Sequence, residues 1–143
     1  MILNSLNRFR DLGLLVLRVG LGGMFIYHGL PKLLAGPALW AQLGTATGTL
    51  GIHFLPVFWG FMAAAAEGIG GLLLLLGLLT RPACLIMFIN MVVAASFHLG
   101  KGDGLGIASH AIEAGIVFLS LVLIGPGRYS LDEVIKPSKN PKP

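Results

Sequence analysis

The sequence predicts an all-α membrane protein, a four-transmembrane-helix bundle with an interfacial or re-entrant segment between helices 1 and 2. Composition points there first: 55% of the 143 residues are hydrophobic and only 11% are charged. With a mean hydropathy of +0.86, the chain lies far outside the balance of a soluble domain. The second observation is four apolar stretches, each long enough to cross a hydrocarbon layer of roughly 30 Å, which takes about 20 helical residues. The third is the punctuation between them, short glycine-, proline- and charge-bearing segments at three places.

The first span is expected over Leu12 to Leu30. The basic residues before it give the N-terminus a superficial likeness to a signal peptide, but the apolar run is too long, contains Arg18 and has no small-x-small cleavage site. It reads as a retained span. The next segment, "PKLLAGPALWAQLGTATGTLGIHFLP" (Pro31 to Pro56), interrupts its apolar residues with Gly, Thr and Gln. Trp40 is of the type that anchors at a membrane interface, and a short amphipathic helix is expected around Ala38 to Gly44.

The second span is placed at Val57 to Leu79, the third at Ala83 to Leu99 and the fourth at Leu105 to Ile124. "LTRPA" (Leu79 to Ala83) forms a tight hairpin between the second and third, because Pro82 suits the first turn of a new helix. "GKGDGLG" (Gly100 to Gly106) is the matching turn between the third and fourth. Glycines in the first two spans (Gly20, Gly22, Gly23; Gly68, Gly70, Gly71) are read as packing surfaces, since helices in lipid associate through close backbone approach.

With four spans, both termini and the Arg81 turn share one side. That side collects Arg8, Arg10, Arg81, Arg128, Lys136, Lys139 and Lys142, against Lys32 and Lys101 opposite. The positive-inside rule then puts both termini in the cytoplasm and the chain, as a multi-pass protein, in the inner membrane. Residues 1–132 form one membrane domain, and 133–143, with alternating lysines and prolines, are expected to be a disordered cytoplasmic tail. No basic stripe with interleaved aromatics calls for nucleic acid. The single cysteine, Cys84, excludes an intramolecular disulfide or a CxxC redox centre.

Ionisable side chains inside spans are the functional signal, because each costs on the order of 2.5–3.5 kcal/mol at a helix centre. Arg18, His28 and Lys32 fall on one face of the first span at helical spacing. Glu67 stands near the middle of "FMAAAAEGIGGLLLLLGLL". The third span contributes Asn90 and His98, and the fourth contributes His110 and Glu113, three apart on one face. Together these residues predict a polar pocket opening on the outer side, floored by Glu67 with Arg18 as its counter-ion. An ion pair that merely fixes helix register is the structural alternative.

A quinone headgroup suits these residue types. Its carbonyl oxygens need donors such as Arg18 and His28, and its reduction needs proton carriers such as Glu67 and Glu113. Lys32, Asn90, His98 and His110 complete the expected ligand-binding set. His110 and Glu113 have an i, i+3 spacing used by metal-binding bundles, though in the wrong order and with too few carboxylates. Haem between two histidines stays open chemically.

"LRVGLGGMFIYHGLPKL", "AEGIGGLLLLLGLLTRPA" and the closing "GPGRYSLD" resemble the DoxX family of small bacterial and archaeal membrane proteins. The most specific parts are Arg18, His28, Gly29 and Lys32, with Glu67, Gly70, Gly71, Gly77 and Arg81. Gly127, Ser130 and Asp132 are assigned to a capped exit from the fourth span. The resemblance implies a DoxX-like four-helix domain linked to quinone, sulfur or oxidative-stress metabolism. The expected function is therefore a quinone-linked, oxidoreductase-associated subunit. A non-catalytic scaffold recruiting a redox partner protein is the alternative, and a small-solute or proton transporter ranks last. Beyond the lipid bilayer, a homo-oligomer is a further expected partner.

Overall fold

A computed structural model describes residues 2–136. Its helices are α1 (Arg10–Leu34), α2 (Pro37–Gly44), α3 (Pro56–Leu76), α4 (Thr80–Lys101), α5 (Leu105–Ile124) and α6 (Leu131–Ile135). Two 3-10 stretches, Ile2–Phe9 and Thr45–Leu50, precede α1 and follow α2. Four helices, α1 with its 3-10 lead-in, α3, α4 and α5, are long and apolar enough to cross a membrane. The first runs past its expected end through Pro31 to Leu34, so that Lys32 belongs to the helix rather than to the loop beyond it. The helix beginning expected at Ala38 starts at Pro37.

α3 is the hub of the bundle, with α1, α2 and α4 all packed against it. Its sequence explains this, because small residues face all three neighbours. A Cβ on Gly22 of α1 would come within 2.7 Å of the Gly71 oxygen, and one on Gly71 within 2.9 Å of the Ile26 nitrogen. At Gly29 an added Cβ would collide with the backbone of Glu67 and Gly68, and at Gly60 with that of Trp40 in α2. Gly70 receives Met87 of α4. Backbones approach here as in other small-residue membrane interfaces. Gly20 and Gly23 have open space around them and take no part in this packing.

α4 packs on α5, and Phe25 meets Phe118 edge to face at 4.9 Å, which closes the ring from α1 to α5. Leu14, Leu74, Cys84, Met87, Met91, Phe118 and Leu121 make the buried core. The outward faces carry Val16, Tyr27, Val92, Ile116 and Leu123 in exposed positions, as surfaces solvated by lipid require.

At the end that bears the termini, the α3–α4 hairpin is tied to the chain after α5. Gly77 caps α3 at φ +67°, and Leu79 is held at φ +47°, a strained value for a residue with a side chain. The Asp132 carboxylate accepts from the N–H of Leu79 at 2.7 Å and of Thr80 at 2.9 Å, while the Asp132 N–H donates to the Gly77 oxygen at 2.9 Å. Asp132 thus caps α4 from fifty residues downstream rather than closing the exit of the fourth span. Ser130 is the local cap, accepting from the Glu133 N–H at 3.3 Å to start α6. That helix carries order through Ile135, beyond the boundary expected at Asp132; the tail expectation for 137–143 lies outside the described residues. Burial pushes the Asp132 carboxyl up, but the hydrogen bonds from Thr80 and Leu79 and the charge of Lys136 outweigh it and hold it below the ordinary value.

Two outcomes are expected. Gly29→Ala, which forces a Cβ into the α3 backbone, lowers stability by about 1–3 kcal/mol, whereas Gly23→Ala is neutral or slightly stabilising. Thermal unfolding followed by a thiol-reactive dye at Cys84, which is fully buried, measures both. Asp132→Ala costs about 1 kcal/mol at neutral pH, the usual worth of a helix cap. Because the folded-state pKa is depressed, the carboxylate's contribution is complete above its unfolded value of about 3.9 and is lost as pH falls through the folded value. Melts across that acid range lose this component in the variant.

Candidate functional site

Glu67 stands about 16 Å along α3 from Pro56, deep in the span. The α1 backbone touches α3 beside it, at Gly29 and Gly68. Lys32 follows Gly29 by three residues and so comes off α1 on the same face, one turn nearer the loop end. Its Nζ lies 2.6 Å from Glu67 Oε2, with side-chain exposures of 34% for Lys32 and 12% for Glu67. Asn90 Nδ2 of α4 donates to the other carboxylate oxygen at 3.5 Å. Both oxygens of the carboxylate are therefore engaged from different helices.

The counter-ion of Glu67 is Lys32, and the expected Arg18–Glu67 pair does not form. Arg18 is about 21 Å from Lys32 along α1 and fully buried at the opposite end. There its guanidinium donates to the Leu74 oxygen at 3.4 Å and to the Tyr129 oxygen. The Leu74 oxygen, at the end of α3, also accepts from the Gly77 N–H at 3.1 Å, and the Tyr129 oxygen belongs to the "GPGRYSLD" turn. Arg18 is thus a structural clamp on the terminal end.

Above Glu67 lies a cavity of about 590 Å³ between α3, α4 and the folded-back first connection. Leu39, Leu43, Leu50, Ile52, Met62, Ile86, Ile89, Val93 and Phe97 give it largely apolar walls. Lys32, Glu67, Asn90, Gln42, Thr47 and His98 supply the polar groups. Trp59 also lines it, and its buried indole N–H has no hydrogen-bond partner among the described residues.

The segment over this cavity is fixed by side chains that hydrogen-bond to backbone carbonyls. Trp40 Nε1 donates to the Lys32 oxygen at 2.9 Å, in the last turn of α1, and its ring meets Phe61 edge to face. Thr47 Oγ1 donates to the Gly44 oxygen at 2.8 Å and lies 3.0 Å from the Ile52 oxygen. At the rim, His98 Nδ1 lies 2.7 Å from Asp103 Oδ2 in the α4–α5 turn.

Of the residues expected at the site, Lys32, Glu67, Asn90 and His98 meet at this cavity. His28, His110 and Glu113 do not; all three are exposed on the outside of the bundle. Trp59, Gln42 and Thr47 were not anticipated. The amide and hydroxyl of the "AQLGTAT" segment were the available signal, since polar groups in an apolar loop need a reason. Among the described residues no group of three His, Cys, Asp or Glu side chains is gathered to hold a metal ion.

Fold and site together define a small integral membrane protein of four spans, with a half-buried ion pair beneath a largely apolar chamber. The DoxX family profile matches residues 13–100, and the chain belongs to that family. It is 35% identical over 136 residues to an uncharacterized protein of Haemophilus influenzae, covering 91% of this chain and 96% of the relative. It is 31% identical over 135 residues to the inner membrane protein YqjF of Escherichia coli, with 91% and 97% covered. A protein of Bacillus subtilis named "Putative oxidoreductase CatD" is 31% identical over 138 residues, with 94% and 96% covered. No solved structure matches the chain significantly.

A partly exposed lysine tempers the cost of breaking the pair relative to a fully buried one, which loses about 3–5 kcal/mol. Lys32→Met is expected to cost about 1–3 kcal/mol and to be partly rescued in Lys32→Met/Glu67→Gln, where no charge is left unmatched. Melting temperatures of the two single variants and the double variant give the coupling.

Proposed function

We propose that this chain is the membrane subunit of a quinone-linked oxidoreductase and that the cavity under α2 receives the quinone headgroup. The observation carrying the proposal is the combination of walls and floor. A chamber of about 590 Å³ is within the size range of small-molecule sites, which are mostly apolar with a few placed polar groups. The Trp59 N–H, the Lys32 ammonium and the Asn90 amide are donors suited to carbonyl oxygens. The unpartnered Trp59 nitrogen is the kind of buried donor that a ligand acceptor relieves. The relative named as an oxidoreductase supports the redox class.

When bound, a quinone supplies two-electron, two-proton carrier chemistry. The chain's own part is positioning and proton handling. Lys32 and Asn90 hold Glu67 in one orientation, and Glu67 accepts or releases a proton at a carboxylate oxygen as Lys32 compensates its charge. His98, about 12 Å nearer the loop end along α4, connects the rim to Asp103 and can relay protons to water. The electron donor is a partner protein. The basic residues at the terminal end orient that end to the cytoplasm, with the cavity near the opposite leaflet.

A second reading rests on the closure of Glu67 by Lys32 and Asn90: the trio locks three helices, and the protein is a scaffold for a redox enzyme. Native mass spectrometry from mild detergent, with quenching of tryptophan fluorescence by a short-chain benzoquinone in nanodiscs, separates the two. The quinone reading expects a quinone-mass adduct and saturable quenching. It also expects Trp59→Phe and Glu67→Gln to weaken binding by tenfold or more with the fold intact. An apo mass, no saturable quenching in the wild type, and a Glu67→Gln variant that is only less stable establish the scaffold instead.

A further inference from the structure

Glu113 poses a physical problem that the cavity does not solve. It stands about 12 Å inside α5 from Leu105, and its side chain is exposed on the outside of the bundle. It has no hydrogen-bond or ion-pair partner among the described residues. A carboxylate at that depth in hydrocarbon costs on the order of 2.5–3.5 kcal/mol, and glutamate is too short to reach the headgroups from there.

The surrounding surface is not an ordinary lipid face. Gly106, Ser109, Val117, Ser120 and Ile124 fall within about 40° of Glu113 on the helix wheel, and His110, also exposed, flanks it. The opposite face, with Ala108, Gly115, Phe118 and Leu121, is the one buried against the bundle. Gly106, His110 and Glu113 are therefore exposed away from the rest of the bundle, with Ser109 and Ser120 half-buried beside them.

We propose that this α5 stripe is the interface with a second copy of the same chain. The argument is charge complementarity under symmetry. A two-fold axis along the membrane normal sets α5 beside the same helix of the partner, running parallel and at equal depth. His110 and Glu113, one turn apart on one face, then form two equivalent pairs, each joining Glu113 of one copy to His110 of the other. A patch that carries both members of the pair matches itself, as an isologous interface requires. Gly106, Ser109 and Ser120 have little bulk to keep the two helices apart. The proposal is independent of what the cavity binds.

Cysteine cross-linking in native membranes tests it, with Cys84 as a silent background because it is fully buried. Ser120→Cys is expected to give a disulfide-linked dimer with an oxidant, whereas Val16→Cys, lipid-exposed on α1, stays monomeric. Photobleaching of single labelled particles in liposomes is expected to show two steps for the wild type. For Glu113→Leu, dimerisation falls by tenfold or more, with Cys84 protection reporting an intact fold. Equal cross-linking at both cysteines, a one-step wild type, a Glu113→Leu dimer of unchanged affinity, or a Ser120→Cys adduct to a different protein each overturns it.

Discussion

The contact of the α1 backbone with the α3 backbone at Gly29 and Gly68 is the constraint on which the site depends. Two helices meeting without side chains between them lie closer than any pair separated by leucines. Only at that separation can the side chain one residue before Gly68 meet the one three residues after Gly29 at 2.6 Å. The ion pair is therefore a consequence of glycine placement. α3 repeats the device toward α2 at Gly60 and toward α4 at Gly70. One helix thus gathers the floor, the lid and the Asn90 wall. A carboxylate in the middle of that helix is engaged from two directions, by Lys32 of α1 and Asn90 of α4, which is why it can be kept in an apolar span at all.

The two ends of the bundle answer the same problem differently. Hairpins between spans leave backbone groups unpaired at helix ends, and lipid-side water cannot serve those that are buried. At the terminal end the solution is rigid: Arg18 takes carbonyls from Leu74 and Tyr129, and Asp132 takes amides from Leu79 and Thr80. The strained Leu79 conformation is held by one of these bonds, so closing the hairpin and anchoring the chain after α5 are one event. At the loop end the connection folds back as α2 and a 3-10 turn whose polar side chains satisfy their own carbonyls. That leaves the space beneath it open as the cavity.

The spans, their hairpins, the short helix in the first connection and the role of Gly22, Gly68, Gly70 and Gly71 were legible in the sequence, because hydropathy and small-residue placement report them directly. The partner of Glu67 was not. Helical periodicity says that Arg18, His28 and Lys32 share a side of α1, but not which of them lies level with a residue on another helix. The span expected to end at Leu30 also continues through Pro31 to Leu34. The same limit misplaced His28, His110 and Glu113, since facing is set by packing: the side of α5 that turns inward is decided by Ala108, Gly115 and Phe118 against α4 and α1. Asp132 capping α4 from another helix carries no local pattern that a sequence can display.

Glu67 and Glu113 make the governing comparison. Both stand well inside a span, and each carries the same desolvation cost. The fold meets that cost for Glu67 with Lys32 and Asn90 from two other helices, and it does nothing of the kind for Glu113. A chain able to engage one carboxylate from two helices, yet leaving the other on its outer surface beside a histidine, is incomplete as a single copy in lipid. The polarity of the inner site is accounted for within one bundle; the polarity of the outer stripe is accounted for when α5 meets a surface carrying the same groups at the same depth, which is what a second bundle presents.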